Sequence, residues 1–248
     1  MSKSTNELFI EFLKSFDDGE HENRKFFDTI TEISRKESGK REPLIENETE
    51  MYSLDDIAKG SRILKGNLPK TTDALYYKEK EGKPYLYLIE FKFHNLDDPD
   101  AEHLLYSLID NFFADTKQYR CLKDDDKKDL NKIKNYYGDD VTNSLILKPF
   151  ESLNVVIPRL YEEYCSNNHD VEKIDIVSYL RNIEKRYFVF VSTYTEEGKF
   201  NRHKEELESQ STGLEKYLDR LKFGKIINHY EIWARCNFDV FLQMEELV

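Results

Sequence analysis

The clearest fold signal in the sequence lies between Pro69 and Phe93, PKTTDALYYKEKEGKPYLYLIEFKF. In its second half, the alternate positions Tyr85, Tyr87, Ile89, Phe91 and Phe93 are all apolar or aromatic, as is typical of a β-strand with a buried face. We expect one strand over residues 72–77 and a longer strand over residues 85–93. The Glu81–Gly82 pair between them predicts the tip of a β-hairpin, because glycine tolerates the positive φ angles of a tight turn.

The register of this hairpin brings two acidic residues together. With the tip at Glu81–Gly82, Lys80 pairs with Lys83, and Asp73 then lies directly opposite Glu90. A four-residue loop from Lys80 to Lys83 gives the same register, whereas a loop of three or five residues shifts it by one residue. The sequence therefore predicts two carboxylates side by side on neighbouring strands.

Two opposed carboxylates predict a metal site. They repel each other on an ordinary sheet, and a divalent cation between them relieves the repulsion. Carboxylate oxygens are hard ligands that suit Mg²⁺ or Mn²⁺. Lys92 lies two residues after Glu90 on the same strand face, where it can orient or deprotonate a water beside the metal. A metal and a positioned water are the requirements for hydrolysing a phosphodiester.

Asp73, Glu90 and Lys92 resemble the D…ExK core of the PD-(D/E)XK nuclease superfamily, whose fold is restriction-endonuclease-like. Asp73 follows Pro69 by four positions, whereas the namesake motif has the two residues adjacent. The resemblance implies a mixed central β-sheet flanked by helices, with Asp73, Glu90 and Lys92 as catalytic residues. It also implies that Asp73, Glu90 and the backbone carbonyl of Phe91 hold the metal, and that the substrate is nucleic acid, usually DNA.

Many members of this superfamily use a further glutamate on an early helix. Glu32, on a helix predicted over residues 23–36, matches this additional ligand, and Glu37 is the alternative. The resemblance covers roughly residues 25–122.

The rest of the chain predicts an α/β protein, because segments with helical spacing alternate with apolar strands. We expect a single nuclease-like domain over residues 1–248, with a helical N-terminal region and helical insertions around a mixed sheet. Pro158 excludes an uninterrupted, unkinked helix through the weakly patterned residues 141–182. The other predicted helices span residues 5–17, 98–122 and 200–222, and the other predicted strands span residues 186–193 and 225–233.

Composition limits the function and the compartment. The net charge of −12 argues against a protein that coats nucleic acid, although a nuclease needs only local positive charge and a metal. Cys121, Cys165 and Cys236 are widely spaced, which favours a reducing compartment over disulfides or structural zinc. No apolar run reaches the roughly 18–20 residues of a membrane span. We therefore expect a cytoplasmic protein without a membrane partner.

These observations favour a nuclease that depends on Mg²⁺ or Mn²⁺ and cleaves DNA. The alternative is a catalytically inactive protein with the same fold that serves as a protein-interaction or regulatory module, for which the acidic charge argues. A third interpretation is a mixed α/β interaction protein in which Glu90 and Lys92 form an ordinary surface charge pair.

Overall fold

A six-stranded mixed β-sheet lies at the centre of the protein, in a computed structural model that describes residues 3–36, 43–64, 68–92, 145–191 and 218–247. Two short strands, β1 (Glu20–His21) and β2 (Arg24–Lys25), form a separate antiparallel pair. The strands of the main sheet lie side by side in chain order: β3 (Phe27–Thr29), β4 (Glu50–Ser53), β5 (Ala74–Lys80), β6 (Lys83–Lys92), β7 (Glu184–Val191) and β8 (His229–Ala234). Neighbours from β3 to β6 are antiparallel, whereas β6, β7 and β8 are parallel to one another.

Helices precede, separate and follow these strands. Residues 145–151 are helical, Ser152–Val156 continue as a π-helix, and α4 follows directly, so that residues 145–167 form one helical segment, here called the long helix. Residues 218–223 are also helical, and Arg235–Asn237 form a 3₁₀ turn. Within the described residues, the α-helices with defined bounds are α1 (Thr5–Lys14), α2 (Ile30–Lys36), α3 (Leu54–Gly60), α4 (Ile157–Asn167), α5 (Ile176–Asn182) and α6 (Phe238–Met244).

Helices cover both faces of the sheet, which confirms the predicted α/β class with a mixed central sheet. Alternate residues of β6 enter two separate apolar clusters. Leu86 and Leu88 face the first cluster, which contains buried residues of α1, α3, the long helix and α5. Tyr87, Ile89 and Phe91 face the second cluster, which contains buried residues of α2 and α6.

The hairpin of β5 and β6 has the predicted tip and register. Glu81 and Gly82 have φ angles of 52° and 74°, as in the two-residue turns whose twist matches that of the strands. Lys80 pairs with Lys83, and the ladder continues to the pair of Ala74 and Ile89. Both strands extend further toward the tip than the sequence predicts.

The helix predicted from residue 23 is wrong for residues 23–29. Glu22 and Asn23 have φ angles of 53° and 63°, which no α-helix contains, and they reverse the chain between β1 and β2. The chain then forms β3, and α2 begins only at Ile30. The helix predicted over residues 98–122 and Glu37 lie outside the described residues.

The buried tyrosines predict a loss of stability at alkaline pH. Burial raises the pKa of Tyr161 to about 12, and it raises the pKa of the fully buried Tyr187 well above the usual 10.0. Above pH 10 the unfolded chain therefore loses tyrosine protons that the folded chain retains, so the free energy of unfolding falls as the pH rises. The slope approaches about 1.4 kcal/mol per pH unit for each such tyrosine.

Urea unfolding between pH 8 and pH 11 measures this effect. Tyr187→Phe removes one of these groups, so we expect its free energy of unfolding to fall less steeply above pH 10 than that of the wild type. Identical slopes for the two proteins would contradict the assignment to Tyr187.

Candidate active site: a lysine between two buried acids

Asp73 lies at the end of the hairpin ladder, directly before β5. Its backbone carbonyl accepts a hydrogen bond from the Leu54 amide at 3.1 Å. Its carboxylate oxygen Oδ2 accepts one from the Phe91 amide at 2.6 Å. The main chain of Asp73 is thus hydrogen-bonded to the start of α3, and its side chain is hydrogen-bonded to β6. Together these two bonds fix the direction of the carboxylate.

Glu90 lies near the carboxyl end of β6. This strand pairs antiparallel with β5 on one side and parallel with β7 on the other. Glu90 pairs with Val189 of β7, and its side chain is completely buried. It follows Leu86 and Leu88 on the face of the first cluster. Asp73 lies on this face too, two residues before Leu75 of the same cluster. Both acids therefore point to one side of the sheet, as the register predicts.

Lys148, on the long helix, bridges the two carboxylates. Its Nζ lies 3.2 Å from Asp73 Oδ1 and 2.6 Å from Glu90 Oε1. The side chains of Lys148, Asp73 and Glu90 are 12%, 3% and 0% exposed, so water screens these charges little. We call these three residues the acid–lysine cluster.

The long helix also holds the segment that leads into Asp73. The Lys70 amide donates a hydrogen bond to the Glu151 carboxylate. The Thr72 amide donates one to the hydroxyl of Ser152 at 3.0 Å. Ser152 is the first residue of the π-helix, a distortion that occurs often at functional sites. Contacts to the long helix thus position Asp73 and its approach segment.

Lys92 is the last residue of β6 and pairs with Val191 of β7. Strand alternation places it on the same face as Glu90, while its side chain lies outside the described part of the structure. Its role as a catalytic residue stays a prediction. The carboxyl ends of parallel strands, where Glu90 and Lys92 lie, are the usual ligand-binding edge of open α/β sheets.

The backbone of Phe91 lies beside the Asp73 carboxylate, and the Phe91 carbonyl stays a predicted metal ligand. The Phe91 amide points toward the Asp73 carboxylate. The N–H and C=O of one strand residue point to the same side of the strand, so the carbonyl also faces the Asp73 side.

Glu32 is not brought to the acid–lysine cluster by any contact that the structure describes. It lies on α2, where its carboxylate pairs with Arg35 at 2.9 Å, and its side chain is 43% exposed. The buried apolar residues of α2, Ile30 and Ile33, belong to the second cluster, on the sheet face opposite to Glu90. The structure therefore gives no support to Glu32 as an additional metal ligand.

Sequence reasoning missed Lys148. The residue belongs to the stretch 141–182, for which the sequence predicts no clear element, and it lies far from the hairpin along the chain. A signal is nevertheless present: Leu145, Lys148, Ser152 and Val156 recur at the three- and four-residue spacing of one helix face. A lysine and a serine within an otherwise apolar stripe indicate a buried polar site.

Asp73 and Glu90 fit a hard divalent cation. Their carboxylates already contact a single cationic group, the Lys148 ammonium. Mg²⁺ needs only one or two carboxylates and completes its shell with waters and substrate phosphate. Within the described residues, no group of three or more His, Cys, Asp and Glu side chains could hold a metal, so a site here would depend on these two carboxylates.

Comparisons with known proteins place no further constraint on the site. No family model, no curated protein and no solved structure matches the chain. In the part of the chain that the structure describes, no helix combines the length and the apolar character that a membrane span requires.

Proposed function

We propose that the protein is a divalent-metal-dependent nuclease that hydrolyses phosphodiester bonds in DNA. The observation that carries this proposal is the convergence of the Asp73 and Glu90 carboxylates on one cationic group at the carboxyl edge of parallel strands. The resemblance of Asp73, Glu90 and Lys92 to the PD-(D/E)XK core supports the same function.

In this proposal Asp73, Glu90 and the Phe91 carbonyl hold Mg²⁺ or Mn²⁺. The bound ion supplies stabilisation of the charge that develops on the phosphate, and it lowers the pKa of a bound water. Lys92 positions the attacking water and contributes positive charge next to the phosphate. The Phe91 amide contributes by fixing the direction in which the Asp73 carboxylate points.

The protein as a whole is negatively charged, so DNA has to bind at a locally positive site. A chain with a net charge of −12 repels DNA at long range. Lys92 and the metal therefore provide the local positive charge that the phosphate backbone requires.

A second function remains as the alternative: a catalytically inactive protein of the same fold that binds another protein. The observation that favours it is the position of Lys148, which neutralises charge between the acids in the way that a permanent structural counter-ion does. This protein would gain no stability from divalent metal, whereas a metal centre stabilises the fold by RT ln(1 + [M]/Kd).

We also propose a cytoplasmic location. The described free cysteine, Cys165, is buried in the first cluster. A thiol of this kind suits a reducing compartment.

Cleavage assays test the proposal directly. Plasmid DNA, single-stranded DNA and RNA are each incubated with the wild type, with and without MgCl₂ or MnCl₂. We expect cleavage of DNA only with metal, and a rate on the order of a hundredfold lower for Lys92→Ala. Lys80→Ala is the matched control, because Lys80 forms an exposed ion pair with Glu246 at the hairpin tip.

Three outcomes would overturn or correct this proposal. No cleavage of any nucleic acid by the wild type, together with no metal-dependent rise in melting temperature, would favour the inactive alternative. Equal cleavage by the wild type and Lys92→Ala would remove Lys92 from the mechanism. Cleavage of RNA alone would correct the substrate.

A further inference from the structure

The position of Lys148 has a consequence for metal binding. We propose that the Lys148 ammonium occupies the cation position of the metal centre and is displaced when a divalent ion binds; this inference rests on the proposed nuclease function. Until the ion binds, Lys148 takes the place of the metal and holds the two carboxylates together.

The first argument is that the two carboxylates offer one cation position. Asp73 Oδ2 is engaged by the Phe91 amide at 2.6 Å, so Oδ1 is the oxygen that faces the cation. Lys148 Nζ lies 3.2 Å from that oxygen and 2.6 Å from Glu90 Oε1. A magnesium ion bound to the same oxygens would lie about 2.0–2.1 Å from each. The ammonium and the ion would therefore compete for the same two oxygens.

The second argument is electrostatic. The Asp73 and Glu90 side chains are 3% and 0% exposed, and repulsion between two cations in contact is strong where water is scarce. The ion and the ammonium consequently exclude each other even if the oxygens shift slightly. Metal binding to the wild type must then include the cost of moving Lys148.

The third argument is that Lys148 can move while its helix stays in place. Its charge is carried on a flexible four-carbon stem, and its side chain is 12% exposed, unlike the two acids. The helix backbone remains attached to the segment before Asp73 through Ser152 and Glu151. Exchange thus needs only a new side-chain conformation of Lys148.

Manganese binding measured by isothermal titration calorimetry tests the exchange. MnCl₂ is titrated into the wild type, Lys148→Met, Asp73→Asn and the control Lys185→Met. Lys185 is a matched buried lysine, 3% exposed, whose Nζ donates to the carbonyls of Leu180, Arg181 and Ile183 rather than to carboxylates.

We expect Lys148→Met to bind Mn²⁺ at least about tenfold more tightly than the wild type, because the competing ammonium is gone; tenfold corresponds to about 1.4 kcal/mol. Lys185→Met is expected to bind as the wild type does, and Asp73→Asn is expected to lose binding. Where Lys148→Met does not fold without metal, Lys148→Gln keeps a hydrogen-bond donor. Its melting temperature is then expected to rise more with MnCl₂ than that of the wild type.

Different results would contradict the exchange of Lys148 with the metal and the metal centre on which that exchange rests. If the wild type and Lys148→Met bind Mn²⁺ equally, or the variant binds more weakly, and Asp73→Asn abolishes binding, the exchange is wrong while the metal centre stands. If neither the wild type nor the Lys148 variants bind Mn²⁺, or if Asp73→Asn binds as well as the wild type, the metal centre itself is wrong.

Discussion

Asp73→Asn and Glu90→Gln are each expected to lower the rate of metal-dependent DNA cleavage by about a hundredfold or more. Each change replaces a carboxylate with an amide of almost the same shape and removes one negative charge from the cation position. The amide oxygen is a weaker ligand for a hard divalent ion. The measurement is the single-turnover rate with saturating MgCl₂, which separates the chemical step from DNA binding.

Matched controls show whether the loss is specific to these two acids. Asp56 is as buried as Asp73 and accepts hydrogen bonds from Ser53 and Arg24. Glu245 pairs with Arg186 at 2.6 Å. Asp56→Asn and Glu245→Gln are expected to cleave at nearly the wild-type rate wherever circular dichroism shows that they fold. Cleavage by Asp73→Asn or Glu90→Gln at the control rate would contradict the assigned active site.

Lys148→Met is expected to lower the free energy of unfolding by about 3–5 kcal/mol in the absence of divalent metal. The change removes one positive charge from between two buried carboxylates and leaves their repulsion less compensated. Methionine fills a similar volume, so little of the loss comes from packing. Urea unfolding with EDTA present measures the effect.

Neutralising the acids tests the origin of this loss. Adding Asp73→Asn and Glu90→Gln to Lys148→Met removes all three charges, and we expect most of the lost stability to return. Lys59→Met is the control for a solvent-exposed ion pair, with Asp55, and is expected to cost less than about 1 kcal/mol. If Lys148→Met costs no more than Lys59→Met, the acid–lysine cluster does not carry the buried charge that the geometry implies.

The hairpin was predictable because its information is local. Glu81 and Gly82 adopt the two positive φ angles of a tight two-residue turn, and this turn places them at the tip of the hairpin. Once that turn is set, strand alternation fixes the faces of Asp73 and Glu90. The strand pairing that brings Asp73 and Glu90 together therefore depends on a few adjacent residues rather than on the rest of the fold.

The region before α2 was mispredicted because its helical spacing has another cause. Phe26, Phe27, Ile30 and Ile33 recur as on a helix, yet Phe26 packs over two glycines. A Cβ at Gly19 or Gly60 would come within 2.4 or 2.6 Å of its ring. The close approach to Gly60 depends on α3, which follows later in the chain, and short-range periodicity does not contain it.

Lys148 could not be located from the sequence for a related reason. Its contact with Asp73 spans 75 residues and its contact with Glu90 spans 58 residues. The stripe of Leu145, Lys148, Ser152 and Val156 indicates a buried polar site but not its partners. Only the packing of the long helix on the sheet pairs the lysine with the two acids.

Anomalous diffraction at the manganese absorption edge, from crystals soaked in MnCl₂, shows directly whether Asp73 and Glu90 form a metal centre. We expect a manganese peak bound by one carboxylate oxygen each of Asp73 and Glu90, with the Lys148 ammonium moved away from them. Crystals with Mn²⁺ at saturating concentration that show no peak at this position, and Lys148 still between the two carboxylates, would contradict the metal centre.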